Sequence, residues 1–394
     1  MTRRPQVPEL REVVIVDAVR TPIGRGHEEK GYYGDVHAAE LLGRTYAELV
    51  ARAEIDPAEV ENVIAGCVNQ FGEQSLNIGR TAWLQEGLPI ETAATTIDLQ
   101  CGSAQQAVNF AAAQIATGTF DAVIGSGVEH MGHISFADVD AVHEQHGHPF
   151  TRRLLDRYDI VGQGLGAEMI AQEWEITRAE LDELALRSHR LAHAATEDGR
   201  FSREIVPIQT NGTSRLTDQG IRPDTSLEAL AALRPVFKPD GTITAGNSSQ
   251  ISDGAAAVLL MSAAKARSLG LRPRARIVDH TAVGCDPVKM LEGPIPATTK
   301  LLQRTRLSIN DIDYFEINEA FAPVVLAWAR AHSPEMVRVN PRGGAMALGH
   351  PLGSTGARLI TTLLHELEDD DKEVGLVAMC CGGGLGTGTL IQRL

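Results

Sequence analysis

The strongest constraint on the fold of this chain is an internal repeat. Val13-Val14-Ile15-Val16-Asp17 near the start is echoed late in the chain by Ala275-Arg276-Ile277-Val278-Asp279, each a strand-like run followed by a loop. Asp56-Pro57-Ala58-Glu59-Val60-Glu61, a capped turn ahead of an apolar run at Ile64, is echoed by Ser308-Ile309-Asn310-Asp311-Ile312-Asp313 ahead of Tyr314. A glycine-rich turn opens a helical pattern at Gly102 and again at Gly353, and these lead to the runs Ala122 to Gly125 and Val374 to Met379. Between the echoes, short β-branched runs alternate with longer helical patterns, as in Ala38 to Arg52, Val60 to Cys67 and Cys101 to Thr117. Such alternation predicts an α/β fold of sheets covered by helices, and the repeat predicts two similarly built halves. From about His130 to Ile243 the rhythm stops. This stretch is rich in His, Arg, Asp and Pro, carries one clear helix pair near Gly166 to Trp174 and Arg178 to Glu197, and predicts an inserted subdomain. The small-residue apolar pattern returns at Gly254 to Met261.

With 394 residues the chain is long enough for roughly two to three domains and a large core. Its 36 Lys+Arg against 51 Asp+Glu give a formal net charge of -15, the wrong sign for a protein that lives on phosphate backbones or anionic membrane. The expectation is therefore no nucleic-acid partner. No stretch approaches the ~18 apolar residues of a membrane span, and Met1 to Arg11 is polar, without an export pattern. The final Ile391-Gln392-Arg393-Leu394 is not a peroxisomal address. Five cysteines with no CxxC pair suggest neither a disulfide framework nor a zinc ribbon. A reducing, cytoplasmic location is expected.

Four segments could carry chemistry. In Leu99-Gln100-Cys101-Gly102-Ser103-Ala104, a cysteine stands at the start of a helix, where backbone N–H groups and the helix dipole favour a thiolate and a lowered pKa. It is a candidate nucleophile, or else a small buried hydrophobe filling a turn. In Ala347-Leu348-Gly349-His350-Pro351-Leu352-Gly353, glycines and a proline fix a histidine in a turn, either as a structural residue or as a base able to deprotonate Cys101. Val377-Ala378-Met379-Cys380-Cys381-Gly382-Gly383-Gly384 is a strand running into glycines whose bare N–H groups can cradle an oxyanion, with a second thiol beside them. The Lys-Ser/Thr of a phosphate-binding P-loop is missing. Finally, Asn318 in Ile317-Asn318-Glu319-Ala320-Phe321 ends a strand, either as a site amide or as a helix N-cap.

Together these segments resemble the thiolases, in order and in approximate separation. The resemblance covers nearly the whole chain, from Asp17-Ala18-Val19-Arg20-Thr21-Pro22 to the last strand, and includes Glu129-His130-Met131, Arg234-Pro235-Val236-Phe237 and Thr244-Ala245-Gly246-Asn247-Ser248-Ser249 before Asp253-Gly254-Ala255-Ala256. It implies two similar βαβαβαββ halves in a layered α/β arrangement. The halves would be residues 1–272 and 273–394, with an inserted CoA-binding loop domain at about 130–248 in the first. It also implies an acyl-CoA acyltransferase: reversible CoA-dependent cleavage of 3-oxoacyl-CoA, or Claisen condensation in reverse, by ping-pong kinetics through an acyl-enzyme. In that chemistry Cys101 is the nucleophile, His350 its base and Cys380 the acid or base at the α-carbon. Asn318 holds a water that shares the enolate oxygen with His350, and the N–H groups of Cys101 and Gly382 meet the tetrahedral oxyanion. Arg222, Ser249 and Gln163 are the implied CoA contacts. The resemblance implies CoA as co-substrate, no metal, no redox cofactor, and a homodimer or homotetramer.

Two departures from the family pattern stand out. Gly162-Gln163-Gly164-Leu165-Gly166-Ala167-Glu168 replaces a His-Met-Gly stretch of the acyl pocket, which predicts a wider, more polar wall and a larger or carboxylated acyl group. Asn340-Pro341-Arg342-Gly343-Gly344 places an arginine where the family has an uncharged residue, which predicts a cation near the site. His130, His133, His143, His146 and His148 look like a metal cluster but lack HExxH spacing, so a solvated loop is expected. Gly162-x-Gly164-x-Gly166 lacks the preceding strand of a dinucleotide fingerprint. A ketosynthase would have a second histidine at the position of Cys380. The rival from another class is a catalytically silent CoA-binding or scaffold subunit of the same fold, against which the four intact segments argue.

Overall fold

The computed structural model describes residues 9–394, so most of the polar stretch Met1 to Arg11, expected to lack an export signal, lies outside the described residues. The front series of elements begins with β1 (Val13–Arg20), buried along its length, and the short β2 (Gly24–Arg25). There follow α1 (Ala38–Arg52), β3 (Asn62–Gly66), α2 (Ile78–Gln85), β4 (Ala93–Ile97), α3 (Ser103–Ala116) and β5 (Ala122–His130). The insertion carries α4 (Phe136–His146), α5 (Arg152–Leu155), α6 (Gln163–Glu173), α7 (Arg178–Glu197), the hairpin β6 (Ile208–Thr210) and β7 (Thr213–Arg215), and α8 (Leu227–Ala231). The chain then returns to the main sheet with β8 (Ser252–Ser262) and leaves it through α9 (Ala263–Ser268). The rear series is β9 (Ala275–Gly284), α10 (Pro294–Thr305), β10 (Tyr314–Ile317), α11 (Ala322–His332), α12 (Ala345–Leu348), α13 (Thr355–Asp369), β11 (Val374–Cys381) and β12 (Leu385–Arg393).

Nine strands form one continuous path in the order β10-β11-β12-β9-β1-β8-β5-β3-β4, and β2 pairs off it against β8. The first strands of the two series meet at its centre, antiparallel, with Val14 opposite Arg276 and Ile15 opposite Ala275. Outward from that join, both series run first strand, last strand, next-to-last strand and then second strand of the sheet path, so the repeat in sequence is a repeat in topology. The series differ at their edges. Where the front half has β4, the rear half has one parallel bridge between Phe315 and Val339. Pro334 and Pro341 flank that segment and a 3-10 turn, Met336–Arg338, fills it, so too few backbone donors remain in extended geometry to build a ladder.

Layers follow from which face of each strand is apolar. Leu41, Leu42, Tyr46 and Leu49 of α1 and Trp83 of α2 pack on one face of the front sheet. Leu301 of α10 and Val325 and Trp328 of α11 pack on the outer face of the rear sheet, with Ile170 and Leu181 of the insertion. Between the sheets lie α3 and α13, through Ala104, Val108, Ala111, Ile360, Leu363, Leu364 and Leu367. Alternation along β11 sends Leu376, Ala378 and Cys380 outward and Val377 and Met379 inward. The two central helices touch closely: a Cβ on Gly356 would sit 2.3 Å from the Gln105 nitrogen. Truncating a core leucine here, such as Leu363→Ala, removes contacts on both sides and costs about 2–5 kcal/mol. Among the described residues, no helix is long and apolar enough to cross a membrane.

Candidate active site

The amino ends of α3 and α13 and the carboxyl ends of β10 and β11 gather the four sequence segments. Cys101 lies in a turn closed by Gly102 N–H to Leu99 O (3.2 Å) and Ser103 N–H to Gln100 O (3.0 Å). Gln100 takes a left-handed φ of 52°, which turns the chain sharply before the helix. Ser103 pins this turn by accepting the Leu99 N–H at 2.9 Å and donating to Gln100 O at 2.6 Å. Gly102 must be glycine for a packing reason, since a Cβ there would lie 2.5 Å from the Cys381 sulfur.

The Cys101 thiol is buried, with its own N–H and that of Gly382 as the nearby backbone donors. Those donors lower its pKa, but burial outweighs them and pushes it up to about 12. The expected lowered pKa is thus corrected: the dipole of one helix end is smaller than the cost of a thiolate without water, and the Glu129 and Asp98 carboxylates add to that cost. Cys380 is fully buried and its pKa is also raised, by burial first and then by the neighbouring Cys101 thiol. Cys381 packs beneath Gly102, with its sulfur 4.0 Å from Thr387 Oγ1.

His350 sits in a loop whose Gly349 has φ 113° and backs onto the Ser252 hydroxyl. Its ring is buried. Nδ1 lies 2.6 Å from Thr355 Oγ1, and that hydroxyl donates its hydrogen to Pro351 O at 2.8 Å. Thr355 can therefore only accept from the ring, which places the proton on Nδ1 and leaves Nε2 with a free lone pair. Nε2 faces the Asn318 amide nitrogen at 3.4 Å, the geometry of an acceptor. Burial, and then the charge of Arg358, pull the imidazole down to about 3, so it is neutral at physiological pH. The site rests as neutral thiol and neutral imidazole, and a proton can move from sulfur to nitrogen only as negative charge on sulfur is being consumed by attack.

Asn318 is not an N-cap. The following helix begins at Ala322 with Phe321 at the cap, and the fully buried Asn318 has no protein partner for Oδ1. Its position is set from below, where Asn340 bonds both Ile317 N–H (2.8 Å) and Ile317 O (2.9 Å), and Glu319 accepts from Ser188, Asn340 and Met346.

A cavity of about 230 Å³ opens onto His350. Gln163 and Ser249 line it, and the rest of its wall is mostly apolar, with Met131, Phe136, Phe237, Ile251, Phe321 and Leu352. Arg222 is exposed and outside this lining, held through its backbone N–H by His189 Nδ1 at 3.1 Å. The expected widening at Gly164 is corrected: the Phe237 ring fills the space, 2.2 Å from where a Cβ would stand, and stacks edge-on against Phe321 at 5.9 Å. Arg342 is likewise corrected. It points away from the site, to Arg200 O (2.9 Å) and Asp369 (2.7 Å). His146 and His148 are exposed as expected, but His130 is fully buried and stacks on His133 at 3.8 Å beside Glu73. Each ring nitrogen of this pair already has a protein partner: Tyr33 O and His133 N–H for His130, Glu73 and Gly34 O for His133.

The residues that sequence reasoning missed are Thr355, Arg358, Ser188 and Gln250, the last of which lines the cavity and donates to the Gly220, Met346 and Ala347 carbonyls. Only Thr355 had a local signal, a hydroxyl five residues after His350 at the start of a helix.

With this geometry in place, the chain was compared with known proteins. Residues 13–264 match the thiolase N-terminal domain family and residues 271–393 the thiolase C-terminal domain family. A steroid 3-ketoacyl-CoA thiolase of Mycobacterium tuberculosis is 45% identical over 393 residues, covering 98% of this chain and 95% of that protein. A 3-ketoacyl-CoA thiolase of Marinobacter nauticus is 45% identical over 394 residues, covering 98% and 99%. The crystal structure of the acetyl-CoA acetyltransferase of Bacillus anthracis superposes with a TM-score of 0.88 at 38% identity, covering 98% of this chain and 100% of that one. The chain belongs to the thiolase family, and its activity is that of a thiolase.

Proposed function

We propose that this enzyme cleaves 3-oxoacyl-CoA esters with an apolar acyl group through an acyl group carried on Cys101. Cys101 gives its proton to His350 Nε2 and its sulfur attacks the 3-oxo carbon, whose oxygen becomes an oxyanion between the N–H groups of Cys101 and Gly382. The carbon–carbon bond then breaks toward the acetyl-CoA side. The departing enolate takes the proton of the Cys380 thiol, its oxygen meanwhile held by His350 and by a water on Asn318. CoA enters as the second substrate and gives its thiol proton to Cys380. Its sulfur attacks the acyl carbon, and Cys101 leaves, regaining the proton from His350. All protons balance within the site, so no metal or redox group is required by any step.

The reading is supported by the hydrogen-bond pattern fixing His350 as a neutral Nδ1–H imidazole that lines the cavity and faces Asn318 through Nε2, together with the neighbouring buried thiols of Cys101 and Cys380. The acyl class rests on the apolar wall of Phe136, Phe237, Ile251 and Phe321, and the steroid substrate in one relative's name agrees with it. CoA contacts at Gln163, Ser249 and Arg222, halves dividing near residue 272, a CoA-binding domain at about 130–248, a homo-oligomer and a cytoplasmic location belong to the same reading. The absence of sheet-path strands between β5 and β8 supports the inserted domain, and the free cysteines support a reducing compartment.

A substrate panel tests the acyl class: kcat/KM should rise from acetoacetyl-CoA to long or ring-bearing 3-oxoacyl-CoA, and a preference for acetoacetyl-CoA would contradict it. Exchange of labelled CoA into acetyl-CoA tests the two thiols. Cys101→Ala should abolish exchange while Cys380→Ala still becomes acylated, and equal loss of acylation in both would contradict the division of labour.

A further inference from the structure

The His350 ring is fixed by Thr355, but the backbone that carries the ring is fixed elsewhere. The His350 N–H is shared between Gln250 O at 3.3 Å and Ser252 Oγ at 3.2 Å, and Ser252 Oγ donates to the same Gln250 oxygen at 2.8 Å. This arrangement leaves the end of α12 short of donors. In a continuing helix the carbonyls of Met346 and Ala347 would take the N–H groups four residues on. The first of these, at His350, has turned to Gln250 and Ser252, and the second position is Pro351, which has no N–H. The Gln250 side chain supplies what is missing. Its Nε2 lies 2.8 Å from Met346 O, 3.1 Å from Ala347 O and 2.9 Å from Gly220 O of the insertion. The insertion approaches so closely that Gly220 has no room for a side chain: a Cβ there would stand 2.6 Å from Ala347 O and 2.9 Å from both amide atoms of Gln250.

An amide nitrogen carries two hydrogens, so the three carbonyl oxygens share them. Without the amide, three oxygens of partial negative charge would face one another with no donor between them, which costs more than the loss of one ordinary hydrogen bond. Relief comes only by moving the pieces apart, and one of those pieces is the end of α12, which runs directly into Gly349 and His350. Resting on the reading of His350 as the base that serves Cys101, we infer that Gln250 is a positioning residue: through its backbone oxygen and its side-chain amide it locks the His350 loop to the insertion and so holds Nε2 where it can take the thiol proton. The clamp stands in the wall of the site, since Gln250 lines the same cavity as His350. It also joins the two substrates' ends of the molecule, because Gly220 is two residues from the proposed CoA contact Arg222. The base is thereby held by the same body that is proposed to bind CoA.

The test compares the full-length enzyme with Gln250→Met, which keeps the length of the side chain and removes its donors. The expected result is acylation of Cys101 slower by about 10- to 100-fold in rapid-quench single turnovers, kcat lower by a similar factor, and KM for the acyl-CoA within about threefold of wild type. An amide that served stability alone would lower the urea midpoint and leave those rates at wild type. Should Gln250→Met not fold, Gly220→Ala presses on the same clamp from the insertion side with the amide still in place, and the same split is expected, kcat lowered and KM held. A folded Gln250→Met that acylates at the wild-type rate, or whose loss is confined to KM, overturns the inference; where that variant does not fold, Gly220→Ala with wild-type kcat overturns it. His350→Gln run in parallel separates the two levels of argument. If it acylates at the wild-type rate, the reading of His350 as base fails; if it is slow while Gln250→Met is not, only the role of Gln250 fails.

Discussion

The helices α3 and α13 occupy equivalent places in the two halves, and each opens on a hydroxyl, Ser103 in front and Thr355 behind. Both hydroxyls brace the turn that precedes the helix, Ser103 against Leu99 and Gln100, Thr355 against Pro351. Only Thr355 also bonds a candidate catalytic side chain, the Nδ1 of His350 at 2.6 Å. The proposed nucleophile is therefore aimed through its backbone, whereas the proposed base is aimed through its ring. A thiol has one reactive atom and needs only a fixed Cα. An imidazole has two nitrogens, and a partner on one decides what the other can do.

That contrast can be broken by mutation. His350→Gln should lower kcat by about 10²–10⁴, the range of a lost general base, with acylation of Cys101 slowed as much as turnover. Thr355→Val keeps the volume but removes the acceptor from Nδ1; a loss of about 5- to 100-fold in kcat is expected, read against Thr355→Ser, which should retain activity. Ser103→Ala should cost about 1–2 kcal/mol of stability in denaturant melts and leave kcat within about threefold, since that hydroxyl bonds only backbone and touches no candidate catalytic atom. If Ser103→Ala and Thr355→Val lower kcat equally, the asymmetry between the halves is wrong.

The smallest expected effect concerns pH, and it has opposite signs in the two halves. His350 is depressed from its ordinary 6.5 to about 3, so the unfolded chain takes up a proton that the folded one refuses. Its contribution to stability is full above about pH 6.5 and is lost as pH falls toward 3. Cys101 is raised from 9 to about 12, so its contribution is full below pH 9 and is lost as pH rises toward 12. Urea midpoints should therefore fall between pH 6.5 and 4.5 less steeply in His350→Gln than in wild type. Parallel curves would show that the buried imidazole does not carry this slope.

Candidate site residues could be picked from the sequence because they stand in turns, where glycine, proline and strand-to-helix punctuation are local signals. Cys101, His350 and Gly382 were proposed on such signals, and the helix Ala38–Arg52 matches its predicted span. Features that depend on tertiary surroundings were not legible. The raised pKa of Cys101 comes from burial that no helix dipole reveals. Arg342 looked like a site cation because it adjoins a site motif, yet its guanidinium turns to Asp369 on α13. Gly164 looked like extra room because the ring that fills it, Phe237, lies far along the chain. His130 read as part of a solvated histidine run, but β5 continues past Gly125 to His130 by pairing residue for residue with β8 as far as Asp253, and so buries it.

The account stands on Cys101 as the atom that carries the acyl group. Brief incubation with labelled 3-oxoacyl-CoA without free CoA, acid quenching and peptide mass mapping would locate it directly. The label is expected on the peptide containing Cys101, absent from Cys101→Ala and released on adding CoA. Label on Cys380 or Cys381, or turnover persisting in Cys101→Ala, would contradict the mechanism.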